Sequence, residues 1–116
     1  MATNMQNTFA RYIKDLNEHG NLKGTDIANI ASVSPATVSR WSAGTHVPHA
    51  KTQLVLSDLT YIVGRLEDYY SSSEIRIWLY ARHPQLAGLR AIDLIVEGRS
   101  EEVIGILDRL DADAYV

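Results

Sequence analysis

With 116 residues, 46% of them hydrophobic, the chain can form one domain or two very small ones sharing a core. It has no cysteine, which excludes disulfides and thiolate metal sites and fits a reducing cytoplasm; no apolar run approaches the ~18 residues of a membrane span, and its first residues lack a signal-peptide pattern. The formal charge of −3 is unevenly split: residues 1–66 carry six cations and four carboxylates, net +2, whereas residues 67–116 carry five arginines and ten carboxylates, net −5, as expected for two surfaces with different partners.

Alternating apolar–polar runs are nearly absent, so the chain reads as all-α. Phe9, Ile13 and Leu16 recur at helical spacing and predict a first helix over about residues 4–18, with Gly20 just past its end. Thr25 is the expected cap of a short second helix, with Asp26 set against its N-terminal dipole and Ile27, Ile30 and Ala31 facing inward. Ser34 and Pro35 start a third helix, which runs to about Ala43 and stops at Gly44. A longer helix follows Pro48, over about residues 49–70. Its stripe is Val55, Leu59, Ile62 and Leu66, which Leu54, Leu56 and Tyr61 are expected to widen. Ser71 and Glu74 form a capping box for a fifth helix bearing Ile75, Ile77, Trp78, Leu79 and Tyr80. The stretch HPQLAGLR reads as a loop hinged at Gly88. A short helix over about residues 91–96 ends at Gly98. Ser100 is the expected cap of the last helix, whose stripe is Val103, Ile106, Leu107 and Leu110. The final DADAYV reads as a polar tail.

Two short helices joined by about three residues, the second opening with small polar side chains, form a helix-turn-helix pattern. Such a second helix must enter a major groove about 12 Å wide, so its first turns must be slim. Pro35, Ala36, Thr37 and Ser39 are slim, and the two hydroxyls can contact base edges or phosphates. Arg40 can make a bidentate pair with guanine or hold a phosphate, and no acidic residue lies between Ala31 and Lys51. Ala28, Val33, Val38 and part of Trp41 are expected to lock the two helices together. The candidate DNA-binding residues are therefore Ser34, Pro35, Thr37, Ser39, Arg40 and Lys51, with His46 and His49 adding charge when protonated. Proteins of this design bind as symmetric dimers, so a homodimer is expected.

Enzyme chemistry has no support in the sequence. His19, His46, His49 and His83 lie in separate elements or loops, no glycine-rich phosphate loop is present, and Glu101 and Glu102 are explained by helix-start electrostatics. No catalytic residue, metal site or cofactor is assigned.

The second half adds a resemblance. Residues 75–116, IRIWLYARHPQLAGLRAIDLIVEGRSEEVIGILDRLDADAYV, contain a tryptophan-bearing helix (Trp78), then a loop with Pro84, Leu86 and Gly88. A short helix with Asp93, Leu94 and Ile95 follows, then a break at Gly98 and Arg99, and a last helix from Val103 to Leu110. This order and spacing resembles the toxin-binding domain of the Xre/MbcA/ParS antitoxins. With the preceding Xre-like helix-turn-helix, the resemblance covers nearly the whole chain. Two departures are Arg90-Ala91, where the short helix usually opens with Thr-Pro, and Asp113-Ala114-Tyr115-Val116, which lacks the family's glycine before the final residues.

The resemblance implies two domains, a helix-turn-helix DNA-binding domain over 1–66 and a toxin-binding domain over 67–116. It implies a bacterial, cytoplasmic type II antitoxin whose partner is a RES-domain toxin that destroys NAD⁺. The antitoxin docks over the toxin's active site and binds operator DNA to repress its own operon. The toxin-binding residues it implies are Trp78, Arg82, Arg99, Asp111, Asp113, Tyr115 and Val116, with Asp111 to Val116 as the blocking tail. The alternative is a stand-alone or phage-like repressor whose second half only dimerises.

Overall fold

The helix starts are written largely by short-range capping. In the computed structural model, which describes residues 2–114, α1 (Asn4–Gly20) opens on a reciprocal box: Thr3 Oγ1 accepts from the Gln6 amide at 3.1 Å, and Gln6 Oε1 accepts from the Thr3 amide at 2.6 Å. Ser34 Oγ accepts from the Thr37 amide at the start of α3 (Pro35–Ser42). Ser71 and Glu74 cap α5 (Ser72–Tyr80) reciprocally, as their spacing predicts. Between them lie α2 (Gly24–Ala31) and α4 (Ala50–Leu66); α6 (Ala91–Val96) and α7 (Ser100–Ala114) complete the described chain. No helix among the described residues is long and apolar enough to cross a membrane.

Several boundaries differ from the sequence expectations. Gly20 does not end α1; it is the last helical residue, buried where a Cβ would stand 3.3 Å from Val63 Cγ2, so it permits close approach to α4. The left-handed stop is Asn21, at φ 53. Thr25 does not cap α2. It lies inside the helix, whose N-cap is Lys23, and the Asp26 carboxylate accepts from the Lys23 amide at 2.8 Å. The fourth helix stops at Leu66 rather than about residue 70, since the Tyr69 and Tyr70 amides both turn back onto the Leu66 carbonyl. Ser100 does not cap α7 either: it is buried inside the first turn, with Oγ unpartnered. The segment read as a loop contains a minimal antiparallel hairpin, β1 (Arg82–His83) with β2 (Leu89–Arg90), pairing Arg82 with Arg90 and His83 with Leu89. A 3₁₀ turn at Pro84–Leu86 and left-handed Ala87 and Gly88 close it. At the other end, α7 runs on through Ala114, so Asp111 to Ala114 are helical rather than an irregular tail.

One connected core joins all seven helices of the described chain. Helix α4 lies at its centre, with Val55, Leu56, Leu59, Ile62, Val63 and Leu66 buried against α1 on one side and α6 and α7 on the other. Leu54 and Tyr61, expected to widen this face, are instead 62% and 52% exposed, because they lie on the opposite side of the helix. Ile77 is 66% exposed for the same reason, since α5 buries Ile75 and Leu79.

Two arginines tie the halves together. Arg76 of α5 grips Asp26 of α2 with two hydrogen bonds, at 2.5 and 3.0 Å. Arg65 of α4 reaches Asp108 and Asp111 of α7.

Core truncation at α4 has a large expected cost. Leu59→Ala should destabilise the chain by about 2–5 kcal/mol in urea unfolding. The Asp26–Arg76 pair is worth less, since the Asp26 side chain is 15% exposed and that of Arg76 36%. Arg76 holds the Asp26 carboxyl below its ordinary value of 3.8. Its stabilisation is therefore complete well above pH 3.8 and fades as pH falls through that value toward the lowered one. Asp26→Asn should cost about 1 kcal/mol at neutral pH. The gap from the unaltered chain should close in acid, as measured by unfolding at a series of pH values.

Candidate functional site

Helices α2 and α3 are joined by three residues, Ser32 to Ser34, with Ser32 in the left-handed region at φ 57. Ile27, Ala28 and Ile30 of α2 and Val38 and Trp41 of α3 are buried, while Val33 packs against the same core. The Trp41 side chain is thus core rather than contact surface. Burying Val38 and Trp41 turns the opposite side of α3 outward, where Ala36, Ser39, Arg40 and Ala43 are all exposed.

The predicted DNA-contacting residues occupy this region but not one uniform face. Ser39 and Arg40 stand on the exposed face, and Pro35 is exposed at its start. Ser34 and Thr37 are engaged with each other, their hydroxyl oxygens 3.0 Å apart. Thr37 is half-buried, so part of its hydrogen-bonding capacity serves the cap. Lys51 is exposed in the first turn of α4, past the loop that follows α3.

Shallow grooves flank α3 on either side. One, of about 680 Å³, is lined by Arg11, Lys14 and Asn17 of α1 and by Ser39 and Ser42 of α3. The other, of about 160 Å³, is lined by Thr37, Arg40, His46, Val47 and His49. The loop carrying the histidines is braced from both neighbours: Gln6 Nε2 donates to the Thr45 carbonyl at 3.1 Å, and Gln53 Nε2 to the Pro48 carbonyl at 2.8 Å. Arg11 and Lys14 were not among the residues picked from the sequence. Their i, i+3 spacing on the polar side of α1 was visible, but the packing that brings that side next to α3 was not.

Among the described residues, ion pairs leave cations of both halves without a partner. Among the described residues, Arg11, Lys14, Lys23, Arg40 and Lys51 have no ion-pair partner. In the second half, Arg90 is paired with Asp93, and Arg99 with Glu97 and Glu102, whereas Arg82 and Arg109 have no ion-pair partner among the described residues. The arginines hold the Asp93 and Glu102 carboxyls below their usual range. The surface around α3 therefore presents uncompensated positive charge on an acidic chain.

The remaining candidates spread over the second half. Trp78 is half-buried, its ring 4.5 Å from that of His83, whose Nε2 is 2.8 Å from the Trp78 carbonyl. Arg82 is exposed on β1 and donates across the hairpin to the Gly88 carbonyl. Arg99 is exposed, but its Nε and Nη2 donate to Glu102 and its Nη1 to Glu97. Asp111 is half-buried in contact with Arg65 and Tyr69, whereas Asp113 is exposed and free of any ion pair among the described residues. Tyr115 and Val116 lie outside the described residues. Exposed Ile77 and Leu89 add apolar surface on the same half.

Similar proteins were found by sequence and by structure, although no protein-family model matches the chain. The mycobacterial cidal antitoxin MbcA of Mycobacterium tuberculosis and of Mycobacterium bovis is 24% identical over 110 residues, covering 95% of this chain and 97% of MbcA. A protein of Mycobacterium tuberculosis named a probable mycobacterial cidal antitoxin is 30% identical over 92 residues, covering 78% of this chain and 77% of its own length. Among solved structures, a chain in the crystal structure of the M. tuberculosis MbcT–MbcA toxin–antitoxin complex superposes with a TM-score of 0.79. It is 23% identical and covers 92% of this chain and 96% of that chain.

Proposed function

The chain belongs to the MbcA antitoxin family, and from that premise we propose that it neutralises a RES-domain, NAD⁺-degrading toxin and represses its own operon. The observation that carries this most directly is the nearly end-to-end match to a named antitoxin, over 95% of this chain and 97% of MbcA. Residues 67–116 are the toxin-binding unit, docking over the toxin's active site. Their net charge of −5 suits a cleft that must be positive to hold the NAD⁺ pyrophosphate. Trp78, Arg82 and Arg99 contribute to the docking surface, and Asp111, Asp113, Tyr115 and Val116 belong to the blocking end. Tyr115 is of a type suited to anchoring an interface.

Residues 1–66 are the DNA-binding unit, with α2 and α3 as the helix-turn-helix. Helix α3 enters the major groove with Ser39 and Arg40 toward base edges. Ser34, Pro35 and Thr37 place the helix start against a phosphate. Lys51 reaches backbone phosphates on one side and Arg11 and Lys14 on the other, which supplies attraction that the overall charge does not. A homodimer places two copies of α3 one turn of DNA apart.

A second reading, a repressor whose residues 67–116 only dimerise, draws on the exposed apolar side chain of Ile77, 66% accessible. Recovery of a single protein species on operator DNA, with no toxin partner encoded alongside, would favour it.

The two activities have separable expected responses. Arg40→Ala should weaken operator binding by about 1–3 kcal/mol and relax sequence preference. Lys14→Ala should weaken all DNA sequences alike and reduce the salt slope by about one. Operator titrations at several salt concentrations check both, and binding unaltered by either change removes α3 and its flank from the interface. Deleting residues 111–116 should weaken rescue of cells expressing the adjacent toxin while sparing operator binding. Full rescue by the shortened chain would refute the blocking end.

A further inference from the structure

The end of α7 projects beyond the core. Leu107 is buried and Leu110 partly so, but Ala112, Asp113 and Ala114 are exposed. Polar contacts hold this end against the body. Arg65 Nη2 donates to Asp108 Oδ1 at 3.0 Å and to Asp111 Oδ2 at 2.6 Å. Its Nη1 donates to the Tyr61 hydroxyl oxygen at 3.0 Å, and the Tyr69 hydroxyl donates to the other oxygen of Asp111. Both carboxylate oxygens of Asp111 are thus taken by groups on or just after α4. The Arg65 side chain is only 19% exposed, so the guanidinium is confined in its place. Tyr69 first, and then Arg65, hold the Asp111 carboxyl below its usual range, so it is fully ionised at neutral pH.

Resting on the reading of residues 67–116 as toxin-facing, we propose that Arg65 is a positioning residue for toxin blockade: by gripping Asp108 and Asp111 it fixes the direction in which Ala112 to Ala114 leave the body. The two aspartates of the blocking end then have different tasks. Asp111 points inward and anchors the helix, while Asp113 is the anion left for the toxin. A helix end with so little buried apolar surface would otherwise fray, and binding would have to order it. Holding it in advance removes that cost from association. The grip also makes the toxin-facing end depend on a residue of α4, in the half assigned to DNA.

The test uses the full chain, the RES-domain protein encoded beside it, and NAD⁺ consumption as the readout. Arg65→Ala and Asp111→Asn should each raise the antitoxin concentration needed for half-inhibition by about tenfold. The double variant should be little worse than either single one, because both remove the same contact. Arg65→Lys should recover part of the loss, operator binding should stay unchanged, and amide exchange at residues 111–114 should accelerate in Arg65→Ala. If Arg65→Ala inhibits like the unaltered chain while deletion of residues 112–116 weakens inhibition, the grip is overturned and the blocking end stands. If that deletion inhibits like the full chain, the blocking end itself falls, and the proposal with it. A loss in Arg65→Ala that Arg65→Lys does not recover, accompanied by a lower melting temperature, would make the residue merely structural and also overturn the proposal.

Discussion

Helix α4 has more apolar surface than one neighbour can cover, and the rest of the molecule is arranged around that constraint. Six of its side chains are buried, and each contributes about 1.5–3 kcal/mol by leaving water, a gross total on the order of 10 kcal/mol before entropy is counted. The ion pairs between the halves are each an order of magnitude smaller. Burial of α4 therefore brings α1 to one side and α6 and α7 to the other, while α3 packs on α1 and α2 bridges α3 and α6; the polar contacts adjust the result. Gly20 shows how close this packing is, since a single Cβ there would press on Val63.

The same arrangement separates the charges. In the second half Arg90 is paired with Asp93 and Arg99 with Glu102, while among the described residues the cations around α3 have no ion-pair partner. An acidic chain can thus present a locally positive face without any change in its total. Local field, not net charge, decides what approaches a surface within a Debye length, about 8–10 Å at ordinary salt.

Much of the architecture was legible in the residues because it depends on near neighbours. Ser34-Pro35, Ser71 with Glu74, and the glycines at 44 and 98 all act within one helical turn, and each marks the boundary its chemistry demands. Gly20 was read as a stop because glycine commonly ends helices, yet here it serves contact with Val63. Leu54 and Tyr61 were read as core from hydrophobicity, although position around the helix puts them outside. The hairpin was missed because strands of two residues have no periodicity to detect.

What the amino-acid order alone determined is the number and place of the helices, the two short helices ending in a slim polar segment, and the family pattern in residues 75–116. These follow from interactions a few residues long. What only the tertiary structure decided is which polar side chains meet. Arg65 and Asp111 are 46 positions apart, Arg76 and Asp26 are 50, and Arg11 and Lys14 reach α3 only through the packing of α1. Nothing local encodes such meetings. They depend on the crossing of helices about a shared core, and the core is set by the summed burial of α4 rather than by any pair of residues.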